Sequence, residues 1–281
     1  MTERGDARTE NLALWEGLAT LHGGGLPGYY DLDALAEGHN PIHTEVEETL
    51  HDALGGRGVA DLDVLHVQSH IAIDSIEMAR RGARVTCADF SPTALARAAD
   101  IARRCDVHLD LVEADSTALP STLHRRFDLA YATIGAICWI EDIDAWMRSV
   151  AACLRPGGTL LLTDIHPLYS MVDTEQDPVV FDLSYTFRAG GLAFDQDGSY
   201  ADRNAKLPAT RGVVFAHSIG EIVTAAVDAG LRIDKVREFT EATFQPTGIG
   251  LALEDDGLYR WRLAPTAEPL PTLFSLIARN G

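Results

Sequence analysis

Apolar residues along this chain change their spacing at about residue 60. Before that point they recur at helical intervals, with Leu12, Trp15, Leu18 and Ala19, and later Val46, Leu50 and Leu54, falling on one face of a helix. Beyond it, short continuous apolar runs alternate with amphipathic stretches, the pattern of a parallel sheet covered by helices on both faces. Strands are expected at 63–68, 84–89, 108–113, 127–133 and 158–164. Helices are expected at 74–81, 92–104 and 142–154; Ser91 and Pro92 open the second, and RPGG stops the third. Over 167–210 the alternation lapses into a Gly-, Asp- and aromatic-containing stretch with Phe181, Tyr185, Phe187, Phe194 and Tyr200. An irregular insertion of that length reads as a lid. Helical periodicity returns at 218–229, and two more strands are expected at 233–239 and 272–278.

These elements predict an α/β fold, a doubly wound Rossmann-like sheet of seven strands. A helical cap segment, 1–60, precedes one large domain, 61–281, which carries the lid at about 167–210. Between the first helices lies GGGLPGYYDLD, with Tyr29 and Tyr30. It reads either as a plain interhelical loop or as a hinged segment able to fold over a site.

Charge narrows the partners. With 23 basic against 42 acidic residues the net charge is -19, which repels phosphodiester backbones and anionic membrane surfaces. Nucleic acid and membrane are excluded as expected partners, and a small molecule is favoured. The longest apolar run, near 129–140, falls short of the ~20 residues that span a bilayer, and no basic-then-apolar signal opens the chain. A cytoplasmic protein is expected. Cys87, Cys105, Cys138 and Cys153 lack CxxC spacing, so they read as reduced thiols rather than disulfides or metal ligands.

The segment VLHVQSHIAIDSIEMARRGARVTCAD, residues 64–89, reads as strand, turn, helix and second strand ending in Asp89. A carboxylate there, roughly 20 residues after the turn, can accept hydrogen bonds from both hydroxyls of a ribose. The competing reading of Asp89 is an N-terminal charge on the next helix. The turn itself departs from the usual pattern, because Gln68, His70 and Ala72 stand where backbone approach to a ligand normally calls for glycine.

Four segments carry a family resemblance: VLHVQSHIA, VTCADFSPTAL, VEADSTALP and LRPGGTLLLTD. Together they resemble the class I S-adenosylmethionine (SAM) dependent methyltransferases from about residue 60 onward, and LHVQSHIAIDSIEMARRGARVTCADFSP is similar to a small-molecule branch whose first motif reads LHLQCHFG. The segments WIEDIDAW, DIHP and AHSIGEIVTAAVDAGL also resemble that branch. The resemblance implies SAM as cofactor and a last strand inserted antiparallel to the rest. It places Asp89 at the ribose, Phe90 beside the adenine, and Asp115 with Ser116 at the adenine amino group. Backbone N–H groups of Gln68, Ser69 and His70 would meet the methionine carboxylate, and Thr133 and Ile134 would line the methionine end. His66 takes the position of an acidic residue that helps fix the amino group; imidazole supplies no negative charge, so the ammonium is expected to be held elsewhere or weakly.

Tyr30 is the preferred lid contact to the cofactor, with Tyr29 and Trp139 on the acceptor side, since aromatic faces stabilise a sulfonium by cation–π attraction. Helix-to-sheet packing competes for Trp139. His166, after the fifth strand, is a candidate base, and His217 is the second. Asp164 is considered as a group orienting His166, although adjacent strand residues face opposite ways. The activity implied is methyl transfer to O or N of a small, secondary-metabolite acceptor. Three alternatives stay open: cyclisation or rearrangement in the same pocket, a catalytically silent partner subunit, and an NAD dehydrogenase. The last is disfavoured because no GxGxxG occupies the turn after the first expected strand and because RPGGTLLLTD fits the methyltransferase layout better. The assembly, a homodimer included, is left open.

Overall fold

A computed structural model describes residues 6–168, 172–173, 180–181, 191–245, 252–264 and 266–281. Tyr185 and Phe187, expected in the lid, lie outside the described residues. Three helices come first, α1 (Ala7–His22), α2 (Leu32–Ala36) and α3 (Thr44–Leu54). Then follow β1 (Asp63–Val67), α4 (Ile73–Arg80), β2 (Arg84–Asp89), α5 (Pro92–Arg104), β3 (Asp110–Glu113), β4 (Phe127–Thr133), α6 (Ile143–Cys153) and β5 (Leu154–Ile165). Short strands β6 (Val172–Asp173) and β7 (Val180–Phe181) pair, as do β8 (Leu192–Asp195) and β9 (Arg211–Val214). The chain closes with α7 (Ile219–Asp228), β10 (Leu231–Phe239), the pair β11 (Ala252–Leu253) and β12 (Tyr259–Arg260), and β13 (Leu273–Asn280).

Seven strands form the central sheet in the order β10-β13-β5-β4-β1-β2-β3. Strands β1 to β5 run parallel, and β13 lies antiparallel to both β5 and β10. The order in which strands are added changes direction between β1 and β4, the switch point at which sheets of this kind hold a ligand at the carboxyl ends of the strands. Alternation along each strand explains the continuous apolar runs. Val64 joins Val46, Leu50, Ile76, Met78 and Ala98 on the face covered by α3, α4 and α5, whereas its neighbour Leu65 joins Trp146, Met147, Val150 and Ile222 under α6 and α7.

Several boundaries differ from expectation by one to four residues. The fifth strand begins at Leu154 rather than 158, because Leu154 already pairs with Phe127 before the register shifts to Leu129 and Thr159. Gly158 permits this: a Cβ there would meet the Phe127 carbonyl at 2.8 Å. The third strand begins at Asp110, opposite Thr86, two residues later than expected.

The N-terminal segment and the lid are joined. Asn11 of α1 donates to the Val213 carbonyl at 2.8 Å and accepts from its N–H at 2.7 Å, as a strand neighbour would. Leu14 and Phe194 approach Gly212 so closely that a Cβ there would lie within 2.9 Å of both. Helix α1 and the β8–β9 pair thus form one cap.

Candidate active site

The turn after β1 keeps a left-handed path without glycine. Gln68, His70 and Ala72 have φ of 58°, 50° and 59°. Each such residue costs about 1–2 kcal/mol, and their side chains make compensating contacts. Gln68 donates to the Ala136 carbonyl at 2.9 Å and accepts from the Trp146 indole N–H at 2.8 Å, which draws it toward α6. The His70 ring turns to α1, with its Nε2 2.8 Å from Nδ1 of His22 and Trp15 edge-on at 5.0 Å. The Ala72 methyl is buried, and the Ala72 N–H closes the turn onto the Ser69 carbonyl. Ser69 is buried within it.

Asp89 ends β2 directed inward, 6% exposed. One carboxylate oxygen accepts from the His70 N–H at 2.8 Å and the other from the Ser91 N–H at 2.9 Å. Burial pushes its pKa up to about 6 against the pull of those amides. Because a carboxylate offers about four acceptor positions, capacity is left for hydroxyl donors. Phe90 follows, half-buried. Glu16 of α1 accepts from the Ser91 and Thr93 hydroxyls and so binds the cap to the start of α5. At the end of β3, Asp115 accepts from Thr117 N and Oγ1 at 2.9 and 2.7 Å and from Arg8 Nε at 2.8 Å. Burial pushes this carboxyl up, but the Thr117 and Arg8 bonds together hold it below the usual range. Ser116 is buried beside it.

His66 does not face the crevice as a charged group. Its Nδ1 lies 2.8 Å from Ser75 Oγ, its ring stacks on Tyr131 at 4.1 Å, and burial pushes its pKa down to about 3. A carboxylate absent from the sequence reading stands nearby. Asp74, in the first turn of α4, accepts from Thr133 Oγ1 at 3.1 Å at the end of β4, and burial pushes it up to about 6.

Aromatic residues of the cap meet over this region. Tyr30 and Tyr200 share a 2.5 Å hydroxyl contact, and His22 stacks on Tyr30 at 4.4 Å while bonding Ser199 at 2.7 Å. Tyr29, 43% exposed, lies 5.4 Å from the Tyr200 ring. Trp139 packs edge-on against Trp15 at 5.3 Å and tilts toward Phe194. Below them, Asp164 accepts from the N–H groups of Gly135, Ala136, Ile137 and Ile165 and so shapes the loop after β4. It is therefore not the group that orients His166. His166 accepts from the Leu168 N–H at Nδ1 and bonds Glu238 through Nε2 at 2.7 Å, tying the end of β5 to β10. His217 donates from Nε2 to the Ile140 carbonyl at 2.6 Å, just before the capping box of α7.

A seven-stranded sheet reversed only at β13, with an acidic end to β2 and a crevice beside β1, narrows the relatives. Residues 64–158 match the family model described as a methyltransferase domain. The chain has the class I methyltransferase fold. An S-adenosylmethionine dependent methyltransferase from Mesorhizobium loti matches with TM-score 0.56 and 21% identity, over 87% of this chain and 100% of that one. The 1,6-didemethyltoxoflavin-N1-methyltransferase of Burkholderia thailandensis matches with TM-score 0.52 and 15% identity, over 100% and 92%. The [4+2]-cyclase SpnF matches with TM-score 0.54 and 17% identity, over 98% and 94%. A search of curated proteins finds no significant match. Within this methyltransferase fold the structure brings Asp89, Phe90, Asp115, Ser116, Gln68, Ser69 and Thr133 to the carboxyl edge of the sheet, with Tyr30, Tyr29 and Trp139 in the cap region. His66 lies beneath α4, and His166 and His217 lie toward β10 and α7.

Proposed function

We propose that this protein transfers a methyl group from SAM to an oxygen or nitrogen of a small, secondary-metabolite acceptor in the cytoplasm. The inward carboxylate of Asp89 carries this reading, because its amide bonds leave acceptor positions suited to a ribose diol. The residues present fit the cofactor: the turn keeps the glycine-like path and leaves the Gln68 N–H for a carboxylate, whereas the Ser69 N–H is given to the Ala88 carbonyl and the His70 N–H to Asp89. Phe90, Asp115 and Ser116 would hold the adenine, and Thr133 the methionine end.

Bound SAM supplies an electrophilic methyl group on a cationic sulfur. The chain supplies positioning and exclusion of water. Tyr30, held by Tyr200 and His22, closes over the cofactor, while Tyr29 and Trp139 face the acceptor. Of the two histidines, His217 engages Nε2 alone among the described residues and keeps Nδ1 to receive an acceptor proton; His166, engaged at both nitrogens, anchors β5 to β10. Isothermal titration tests the reading: the folded protein should bind SAM and S-adenosylhomocysteine one to one, and absence of binding to both contradicts it.

The aromatic cap favours a second reading. Tyr30, Tyr200, Trp15 and Trp139 meet in one cluster suited to an apolar acceptor, and a protein of this fold is described as a [4+2]-cyclase. Product mass separates the two, since methylation adds one CH2 and cyclisation leaves the mass unchanged.

A further inference from the structure

The crevice contains a carboxylate that its own chain leaves uncompensated. Asp74 takes one hydrogen bond among the described residues, from Thr133 Oγ1 to Oδ2. Among the same residues Oδ1 accepts no hydrogen bond and no cation pairs with the carboxylate. The charged group that acts on it is Glu47, which repels it, and Asp74 in turn acts on the hydroxyls of Tyr30 and Tyr131. Asp74 is half-buried, and a carboxylate drawn out of water to that extent is normally paired or hydrogen-bonded at both oxygens, departures concentrating at functional sites.

Side chains in a helix tilt toward its N-terminus, so a residue in the first turn of α4 leans back over the β1–α4 turn. Thr133 fixes it against the end of β4. Asp74 therefore stands between the turn, the mouth of β4 and Tyr30. The residue on β1 from which a negative charge would be expected is His66, and its neutral ring is occupied by Ser75 and Tyr131.

We propose that Asp74 is the anionic partner of the α-ammonium group of SAM, a task that in this chain has moved from β1 to the first turn of α4. This rests on the crevice being a SAM site. Asp74 with Thr133 then forms a subsite for a primary ammonium: Oδ2 is oriented by the threonine hydroxyl, and Oδ1 faces the cation. The arrangement costs the empty protein stability and returns it on binding.

Titration calorimetry with S-adenosylhomocysteine and with its analogue lacking only the amino group tests this as a thermodynamic cycle. Wild-type protein is expected to bind the analogue ten- to a hundred-fold more weakly. D74N is expected to lose the same factor for S-adenosylhomocysteine, to bind the two ligands equally, and to keep a ligand-free Tm at or above wild type; D74S serves in its place if the Asn variant does not fold. Retained preference for the amino group in the variant overturns the proposal, as does equal weakening of both ligands with a lowered Tm. Failure of wild type to bind either ligand overturns the SAM reading itself, whereas wild-type binding without the D74N effect overturns only the role of Asp74.

Discussion

Asp89 and Asp74 are both carboxylates carried into the fold with pKa values pushed up to about 6 by burial. A folded-state pKa above the unfolded value means that ionisation costs stability: the cost is absent below about pH 4, grows between pH 4 and 6, and is complete above pH 6. For Asp74 it amounts to about 3 kcal/mol. Thermal unfolding of D74N is therefore expected to exceed wild type at pH 7 and to converge with it near pH 4. A constant difference across that range contradicts the assignment. D89N removes an ionised acceptor for two hydroxyls and should weaken S-adenosylhomocysteine binding about 10- to 100-fold, as charged hydrogen bonds of about 1.5–3 kcal/mol imply. The placement of Asp89 at the end of β2 and of Asp115 just after β3 was legible in the sequence, because each follows an apolar run that reads as a strand. His166 was legible as a residue at the end of β5, but its engagement was not, since Glu238 lies 72 positions away on β10. With His66 unable to supply a charge the sequence left the ammonium without a named partner, and Asp74 did not stand out because acids in the first turn of a helix read as ordinary dipole complements.

Strands and helices of the main sheet were readable to within a few residues, since each apolar run is buried on both faces and each helix carries its stop signals. Ser91 caps α5 through the Ala94 N–H as its position implied, and Ser218 opens a full capping box on α7. What the pattern did not disclose was how the irregular elements attach. Asn11, an unremarkable polar residue on α1, holds both backbone groups of Val213 from 202 residues away. Asn11→Ala should cost about 1–3 kcal/mol by leaving those buried groups unpaired, and amide exchange at 211–214 should accelerate relative to β1. Exchange unchanged in that segment would show that the cap is held by packing alone. Asp164 is a second case, reading as a strand-end acid near a histidine but spending its oxygens on four amides that set the loop after β4.

At the scale of the molecule, the sheet order β3-β2-β1-β4-β5-β13-β10 follows from sequence alternation plus one reversed strand, the latter foreseen through family likeness rather than from the residues. The net charge of -19 makes the whole surface attractive to cationic ligands and responsive to ionic strength. SAM carries one more positive charge than S-adenosylhomocysteine, so its affinity should fall more steeply between low and physiological salt; parallel salt dependence of the two would deny the global field a role. The cap, built jointly from α1 and the β8–β9 pair, places its tyrosines and tryptophans above the crevice, where an acceptor would be enclosed. The central claim is that the adenosyl group lies over β1 and β2 despite the lost glycines. A crystal structure with S-adenosylhomocysteine bound tests it most directly. Both ribose hydroxyls are expected within hydrogen-bond reach of Asp89 and the amino group against Asp74; a ligand bound elsewhere, with His70 or Ile73 occupying the space above Asp89, would contradict this.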